Sequence, residues 1–212
     1  MRIDFHVHSN LSPCSIINPK VLFKIAKKKG LDAIAIVNHN KLGNFKSNEV
    51  KVINGMEICT SKGEVIGLNI KKPISKGLEP QKTIDEIKKQ GGFVIIPHPF
   101  DKLRKGVGDE IIKLCDYDAV EVNGRCLFKS FNEKAKAFSI SNKVPIVGGS
   151  DAHFYEELGC CITQVKADNI TEALSNIKKG RSSIIIKRKS LWDHRFYAYS
   201  WLAILKKRLI LK

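Results

Sequence analysis

Ile3-Asp4-Phe5-His6-Val7-His8, followed after a helical pattern over Pro19–Lys29 by Ala33-Ile34-Ala35-Ile36-Val37-Asn38-His39, is the stretch that decides the fold. Both apolar runs are short, rich in β-branched residues and closed by polar ones, as expected of strands buried in a sheet. Pro19 near the start and Gly30 just past the end punctuate the helix between them. A strand, a helix and a second strand in this order imply parallel pairing through a crossover.

Outward from this unit the alternation continues. Further strands are expected at Val50–Ile53, Glu64–Ile70, Phe93–Ile96, Ala119–Val122, Pro145–Val147, Ile162–Val165 and Ser183–Lys187. Helical patterns fall at Pro80–Gln90, Asp109–Leu114, Phe131–Ser141 and Thr171–Lys179. Ser61-Lys62-Gly63 reads as a hairpin turn, so antiparallel or irregular structure is expected near it. No internal repeat and no low-complexity linker divides the chain. The expectation is an α/β domain with a largely parallel sheet, open or closed into a barrel, whose chemistry gathers at the carboxyl ends of the strands.

The chain has 212 residues, 43% of them hydrophobic and 27% charged, which excludes wholesale disorder. Its net charge of +16 is unusual, and eleven basic residues against one acid, Asp193, lie between Lys178 and Lys212. Such a balance points to an anionic partner: a phosphorylated substrate, nucleic acid or an anionic membrane surface. A solvated lysine-rich face is the plainer reading. Arg2 and Asp4 interrupt any N-terminal apolar segment, and the six cysteines show no CxxC spacing. A reducing, cytoplasmic setting with free thiols is therefore expected. The longest apolar run, Phe196–Leu205, is too short for a membrane span of about 20 residues.

Five of the six histidines sit at or just past the end of an expected strand: His6, His8, His39, His98 and His153. His6 and His8 alternate on one strand and so point to one side. His39 closes the second strand, Glu57 follows the third, and His98 lies between Pro97 and Pro99. Ser150-Asp151-Ala152-His153 pairs an acid and an imidazole in the same alternation. Imidazoles and carboxylates together suit zinc, manganese or iron, and their number exceeds what one ion needs. Two or three divalent cations are expected, able to clamp phosphoryl oxygens and acidify a bound water.

Taken in order, His6-Val7-His8-Ser9, Ile36-Val37-Asn38-His39-Asn40, Gly55-Met56-Glu57, Ile96-Pro97-His98-Pro99 and Ser150-Asp151-Ala152-His153 resemble the successive motifs of the PHP (polymerase and histidinol phosphatase) family. The resemblance runs from Ile3 to about His153. It implies a distorted seven-stranded, TIM-like (β/α)7 barrel holding up to three divalent metals and hydrolysing phosphomonoesters or phosphodiesters. Carried over by position, His6, His8, Glu57 and Asp151 surround one metal, Glu57 and His98 hold a second, and His39 with His153 a third. Cys14 stands where the family often places a further ligand of the third site. Two positions depart from the pattern. Asn38 replaces the usual Asp, a change expected to alter orienting hydrogen bonds. No histidine falls in Glu64-Val65-Ile66-Gly67, so the second metal is expected to draw on Glu121, Asn123 or water. Asp151, His153 and Arg125 are the candidate catalytic residues, with Arg125 a candidate phosphate anchor. Asp4 is a candidate hydrogen-bond partner of a ligating imidazole, or else a surface acid.

The expected division is a metallo-phosphoesterase domain over residues 1–188 and a basic, aromatic extension over 189–212. Trp192, Phe196, Tyr199, Leu202, Leu205 and Leu209 fall on one helical stripe there. Such a helix fits packing on the barrel, peripheral membrane contact or nucleic-acid binding. The functional expectation is a metal-dependent phosphoesterase acting on a phosphorylated small molecule, a nucleotide or a nucleic-acid end. The alternative is a non-catalytic nucleic-acid-binding barrel resembling the RNase P barrel protein. The full set of histidines and acids favours the enzyme, since a binding module has little use for them.

Overall fold

A computed structural model describes residues 1–187, apart from the side chains of Glu110 and Leu114. The C-terminal stripe and His194 lie outside the described residues. The described chain runs β1 (Arg2–Val7), α1 (Pro19–Lys28), β2 (Ala33–His39), β3 (Lys51–Cys59), β4 (Glu64–Leu68), α2 (Pro80–Lys89), β5 (Phe93–Ile96), α3 (Gly108–Leu114), β6 (Ala119–Asn123), α4 (Lys129–Asn142), β7 (Ile146–Gly149), β8 (Cys161–Val165), α5 (Ile170–Lys178) and β9 (Ser182–Ile186). Within residues 1–187 every expected strand and helix is present within a few residues. The third strand is the main revision: it extends to Cys59, so Glu57 lies on it and not after it.

The helices form where capping and periodicity agree. Asn18 caps α1 by accepting a hydrogen bond from the Lys20 amide, Pro19 takes the first turn, and Lys27 and Lys28 face the carboxyl end of the helix dipole. Leu22, Phe23 and Ala26 of α1 are buried. They join Ile34 and Ile36 of β2 in one apolar cluster. Asn169 caps α5 in the same way, through the Glu172 amide.

All nine strands join one sheet, in the order β7-β6-β5-β4-β3-β2-β1-β8-β9. The family resemblance implies seven. The two additional strands, β8 and β9, are antiparallel and attach beyond β1. The turn at Ser61-Lys62-Gly63 makes β3 and β4 a hairpin, and β4 also runs antiparallel to β5. Parallel pairing holds for β1–β2, β2–β3, β5–β6 and β6–β7.

The sheet curls until it nearly closes. Past β7 the chain runs beside the end of β1, where Val7 and Ala152 form a parallel bridge. The His8 amide donates to the Ala152 carbonyl at 2.9 Å and the Asp151 amide to the His6 carbonyl at 2.7 Å. One apolar cluster fills the inner face, with Ile3, Phe5, Ala35, Ile53, Leu68 and Ala119 among its members, and Ala173, Leu174 and Ile177 of α5 pack against it.

Alternation along the strands carries that inner face into polar residues. The inward series Ala33, Ala35, Val37 continues to His39, and Ile53 and Gly55 continue to Glu57 and Cys59. Leu68 and Ile66 lead back to Glu64, because β4 runs the other way. Ala119 leads to Glu121 and Asn123, and Val147 to Gly149 and Asp151. In β1 simple alternation from Ile3 and Phe5 would aim His6 and His8 outward. The register against β2 slips between Asp4 and Val7, so that Val7 pairs with Ile36 and the two histidines turn inward.

Candidate metal centre

The five strand-end imidazoles meet at one mouth of the sheet. Ring centroids lie 5.0 Å apart for His6–His8, 4.5 Å for His8–His39, 4.3 Å for His8–His153 and 5.9 Å for His6–His98. The His6, His8, His98 and His153 side chains are almost wholly buried, and His39 is the most exposed of the five at 28%. Four trios of ligand atoms each lie within 4.8 Å of one another: His6, His8 and Asp151; Glu57, Glu64 and His98; His8, His39 and His153; His39, Cys59 and Glu64.

Hydrogen bonds decide which nitrogen the His6 and His8 rings present. His6 Nδ1 lies 2.9 Å from Glu121 Oε1, an acceptor, so the ring proton sits there and Nε2 keeps its lone pair. For His8 the chain of hydrogen bonds is one link longer. Asn38 Oδ1 accepts from the Ser9 amide at 2.8 Å, which orients the carboxamide, and it also accepts from the Ser12 hydroxyl at 3.1 Å. With its proton committed, Ser12 Oγ accepts from the His39 amide at 3.0 Å and from His8 Nδ1 at 3.2 Å. His8 Nε2 is then also a lone pair, and it faces His6 Nε2 at 3.0 Å. Asp151 Oδ1 lies 3.5 and 3.2 Å from these two nitrogens, and Glu57 Oε2 lies 3.4 and 3.3 Å from them. Two lone pairs and two carboxylate oxygens converging at such distances repel one another unless positive charge, a proton or a metal cation, lies between them. The donor set fits a divalent metal.

Electrostatics agree. Burial opposes charge on His6, yet the carboxylates of Asp151, Glu121 and Glu57 outweigh it and hold the ring well above its ordinary pKa. Burial raises the Glu64 carboxyl and neighbouring Glu57 raises it further. Such a field favours positive charge. His153 is the opposite case: burial, with the Arg125 guanidinium beside it, keeps it well below its ordinary value and therefore neutral, the form that ligates.

Glu57 and Glu64 each divide their oxygens. His98 Nε2 lies 3.3 Å from Glu57 Oε1 and 3.7 Å from Glu64 Oε2. Glu64 thus stands beside His98 in the place expected of Glu121, Asn123 or water, an acid that no histidine motif marks. The available signal was the hairpin: an antiparallel β4 puts its first residue at the same mouth as the end of β3. Glu121 and Asn123 are otherwise occupied. Glu121 Oε2 accepts from the His98 amide and from Asn123 Nδ2, each at 2.9 Å. Cys14 Sγ lies 3.1 Å from His153 Nε2. Asp4 is buried rather than at the surface, and its partners are the backbone amides of His6, Ser150 and Gly159, not an imidazole. Burial still pushes its carboxyl up to about 6.

Two arginines border the site. Arg125 is only 9% exposed, with Nη1 at 2.9 Å from His153 Nδ1 and Nε at 3.1 Å from Glu157 Oε1. Glu157 Oε2 in turn accepts from the His153 amide at 2.7 Å. Arg104, which the sequence reading missed, pairs with Asp151 Oδ2 through Nη1, with Asn123 Oδ1 at 3.0 Å through Nη2, and with Asp101 Oδ2 at 3.0 Å through Nε. Its side chain is 22% exposed. It lies in an irregular loop with no motif around it, which is why spacing did not mark it. The backbone here is strained: His98 and Asp151 have φ of 29° and 55°, left-handed values that side chains rarely adopt and that are typical of functional sites.

One consequence concerns Glu121, whose two oxygens serve three donors. A glutamine there must turn its NH2 toward at least one of them. Glu121→Gln is therefore expected to lower metal affinity by about 10- to 100-fold, measured by competition with a chelator; unchanged affinity would show that Glu121 does not set the His6 tautomer.

A buried set of imidazoles and acids at the mouth of a nearly closed α/β sheet defines a class, the barrel-like proteins with a metal centre at the strand ends. A family model described as PHP-associated matches residues 129–182. Two uncharacterized proteins of Methanocaldococcus jannaschii are relatives. MJ1587 is 40% identical over 139 residues, covering 58% of this chain and 81% of its own, and MJ0417 is 34% identical over 205 residues, covering 90% and 84%. Among solved structures, PsfC of Pseudomonas syringae superposes with a TM-score of 0.69 at 17% identity, over 97% of this chain and 98% of its own. A protein of Bifidobacterium adolescentis, assigned provisionally as a metal-dependent phosphoesterase, gives 0.59 at 15% identity over 72% and 88%. The chain belongs to the same family as the two Methanocaldococcus proteins, and its domain is of the PHP type. Among the described residues no helix is long and apolar enough to cross a membrane.

Proposed function

We propose that this protein is a divalent-metal-dependent phosphoesterase acting on a phosphorylated small molecule, a nucleotide or a nucleic-acid end. The observation that carries the reading is the convergence of His6 Nε2, His8 Nε2, Asp151 Oδ1 and Glu57 Oε2 on one point. These four would hold one cation, Glu57, Glu64 and His98 a second, and His39 and His153, with Cys14 beside them, a third. When bound, such cations polarise a phosphoryl oxygen and acidify an attacking water.

The chain's own groups prepare the site for that chemistry. Arg104 holds Asp151 Oδ2, leaving only Oδ1 to face the imidazoles. Glu121 and Ser12 fix the His6 and His8 tautomers so that both lone pairs point inward. Glu157 and Arg125 bracket His153. Arg104, its side chain partly exposed, adds positive charge beside Asp151 that would favour an incoming phosphate, and Arg125 adds charge beside His153.

The test combines metal content of the purified protein with hydrolysis of phosphomonoesters, nucleotides and short oligonucleotides in added manganese or zinc. Release of phosphate or of a nucleotide product that stops on chelation is expected. Oligonucleotide binding without hydrolysis of any substrate would favour the binding-module reading instead.

A further inference from the structure

Cys59 lies outside every ligand set carried over from the family, yet it belongs to the same inward series as Ile53, Gly55 and Glu57. Across the hairpin it pairs directly with Glu64, and its Sγ lies 3.2 Å from Glu64 Oε1. His39 Nδ1 comes within 3.8 Å of that same oxygen. The ligand atoms of His39, Cys59 and Glu64 all lie within 4.8 Å of one another. Glu57 Oε2, almost wholly buried, lies 2.9 Å from His39 Nδ1 and so borders this group. Glu64 turns its other oxygen toward His98. The trio therefore adjoins the centre on its more open edge, where Cys59 and His39 are only part-buried.

We propose that His39, Cys59 and Glu64 form a thiolate-containing site for a thiophilic divalent cation, zinc or iron(II), at the open edge of the metal centre. The inference rests on the reading of this mouth as a metal centre and adds a position and a metal preference to it. On binding, the Cys59 S–H bond is replaced by a sulfur–metal bond, and the proton leaves to solvent. A thiolate beside an imidazole and a carboxylate selects zinc or iron over magnesium and manganese, whose preferred donors are oxygens. Without a cation the thiol is a hydrogen-bond donor to Glu64, and the same three side chains still bring an imidazole, a thiol and a carboxylate within reach of one ion.

Cobalt(II) reports the sulfur ligand through sulfur-to-metal charge-transfer absorption in the near ultraviolet. Because Cys14 also borders the centre, the experiment starts from Cys14→Ser. Metal-free protein titrated with cobalt is expected to show the band in Cys14→Ser and to lose it in Cys14→Ser/Cys59→Ser, with fewer cobalt ions bound per chain. Bound cobalt with no band in Cys14→Ser overturns the proposal and leaves the metal centre standing. No cobalt bound at all removes the metal centre itself. A second measurement needs no substitution: in the wild-type chain zinc is expected to shield Cys59 from alkylation by iodoacetamide, read by peptide mapping. Equal labelling with and without bound zinc overturns the proposal.

Discussion

His8→Ala is expected to lower turnover by on the order of 10³-fold or more, the several kcal/mol by which a metal site stabilises charge in the transition state. Two features make the effect large. His8 belongs to two of the ligand trios, those with His6 and Asp151 and with His39 and His153. Its Nδ1 also ends the chain of hydrogen bonds running through Ser12 to Asn38. Removing the ring therefore weakens two cation positions at once and leaves Ser12 without one of its donors. The fold should survive, because His8 lies just past β1 and the inner cluster beneath it is apolar and complete. Asp151→Ala is expected to act similarly while also freeing Arg104. The measurements are kcat/KM, bound metal and circular dichroism. Near-normal turnover in either variant would remove the assignment of this mouth as the reacting centre.

Gly149→Ala tests the packing that brings β7 against β1. A Cβ at Gly149 would stand 2.2 Å from Glu121 Oε1 and 2.5 Å from His6 Cβ, both fixed and buried. Neither neighbour is the free end of a flexible chain, so the backbone must shift. Overpacking of this kind costs about 1–3 kcal/mol, and in a chain of this size each kcal/mol lowers the melting temperature by about 2–4 °C. Displacing Glu121 also releases the His6 ring from its tautomer. Loss of metal affinity is thus expected beside the loss of stability, by chelator competition and thermal melting. If both are unchanged, β7 and β1 do not pack as described.

Much of the site could be read directly because its ligands continue the apolar pattern of their strands. His39, Glu57 and Asp151 stand where Val37, Gly55 and Gly149 lead, two residues further along each inner face. Glu64 was harder, since it begins its strand, and only the direction of β4 places it at the same mouth as Glu57. Arg104 carried no signal at all. It reaches Asp151 from a loop between β5 and α3, across 47 positions of chain.

Local residue order by itself determined the strands, the helices and their caps, and the placing of imidazoles and acids at strand ends, because each depends on neighbours within one or two turns of chain. Only the tertiary structure decided that β4 is antiparallel to β5 as well as to its hairpin partner, that β8 and β9 join the sheet beyond β1, and that a slip of register in β1 turns His6 and His8 inward. Those outcomes depend on which distant backbone groups pair. The cost of closing such contacts is met by the whole buried interior together, and no short window of residues encodes it.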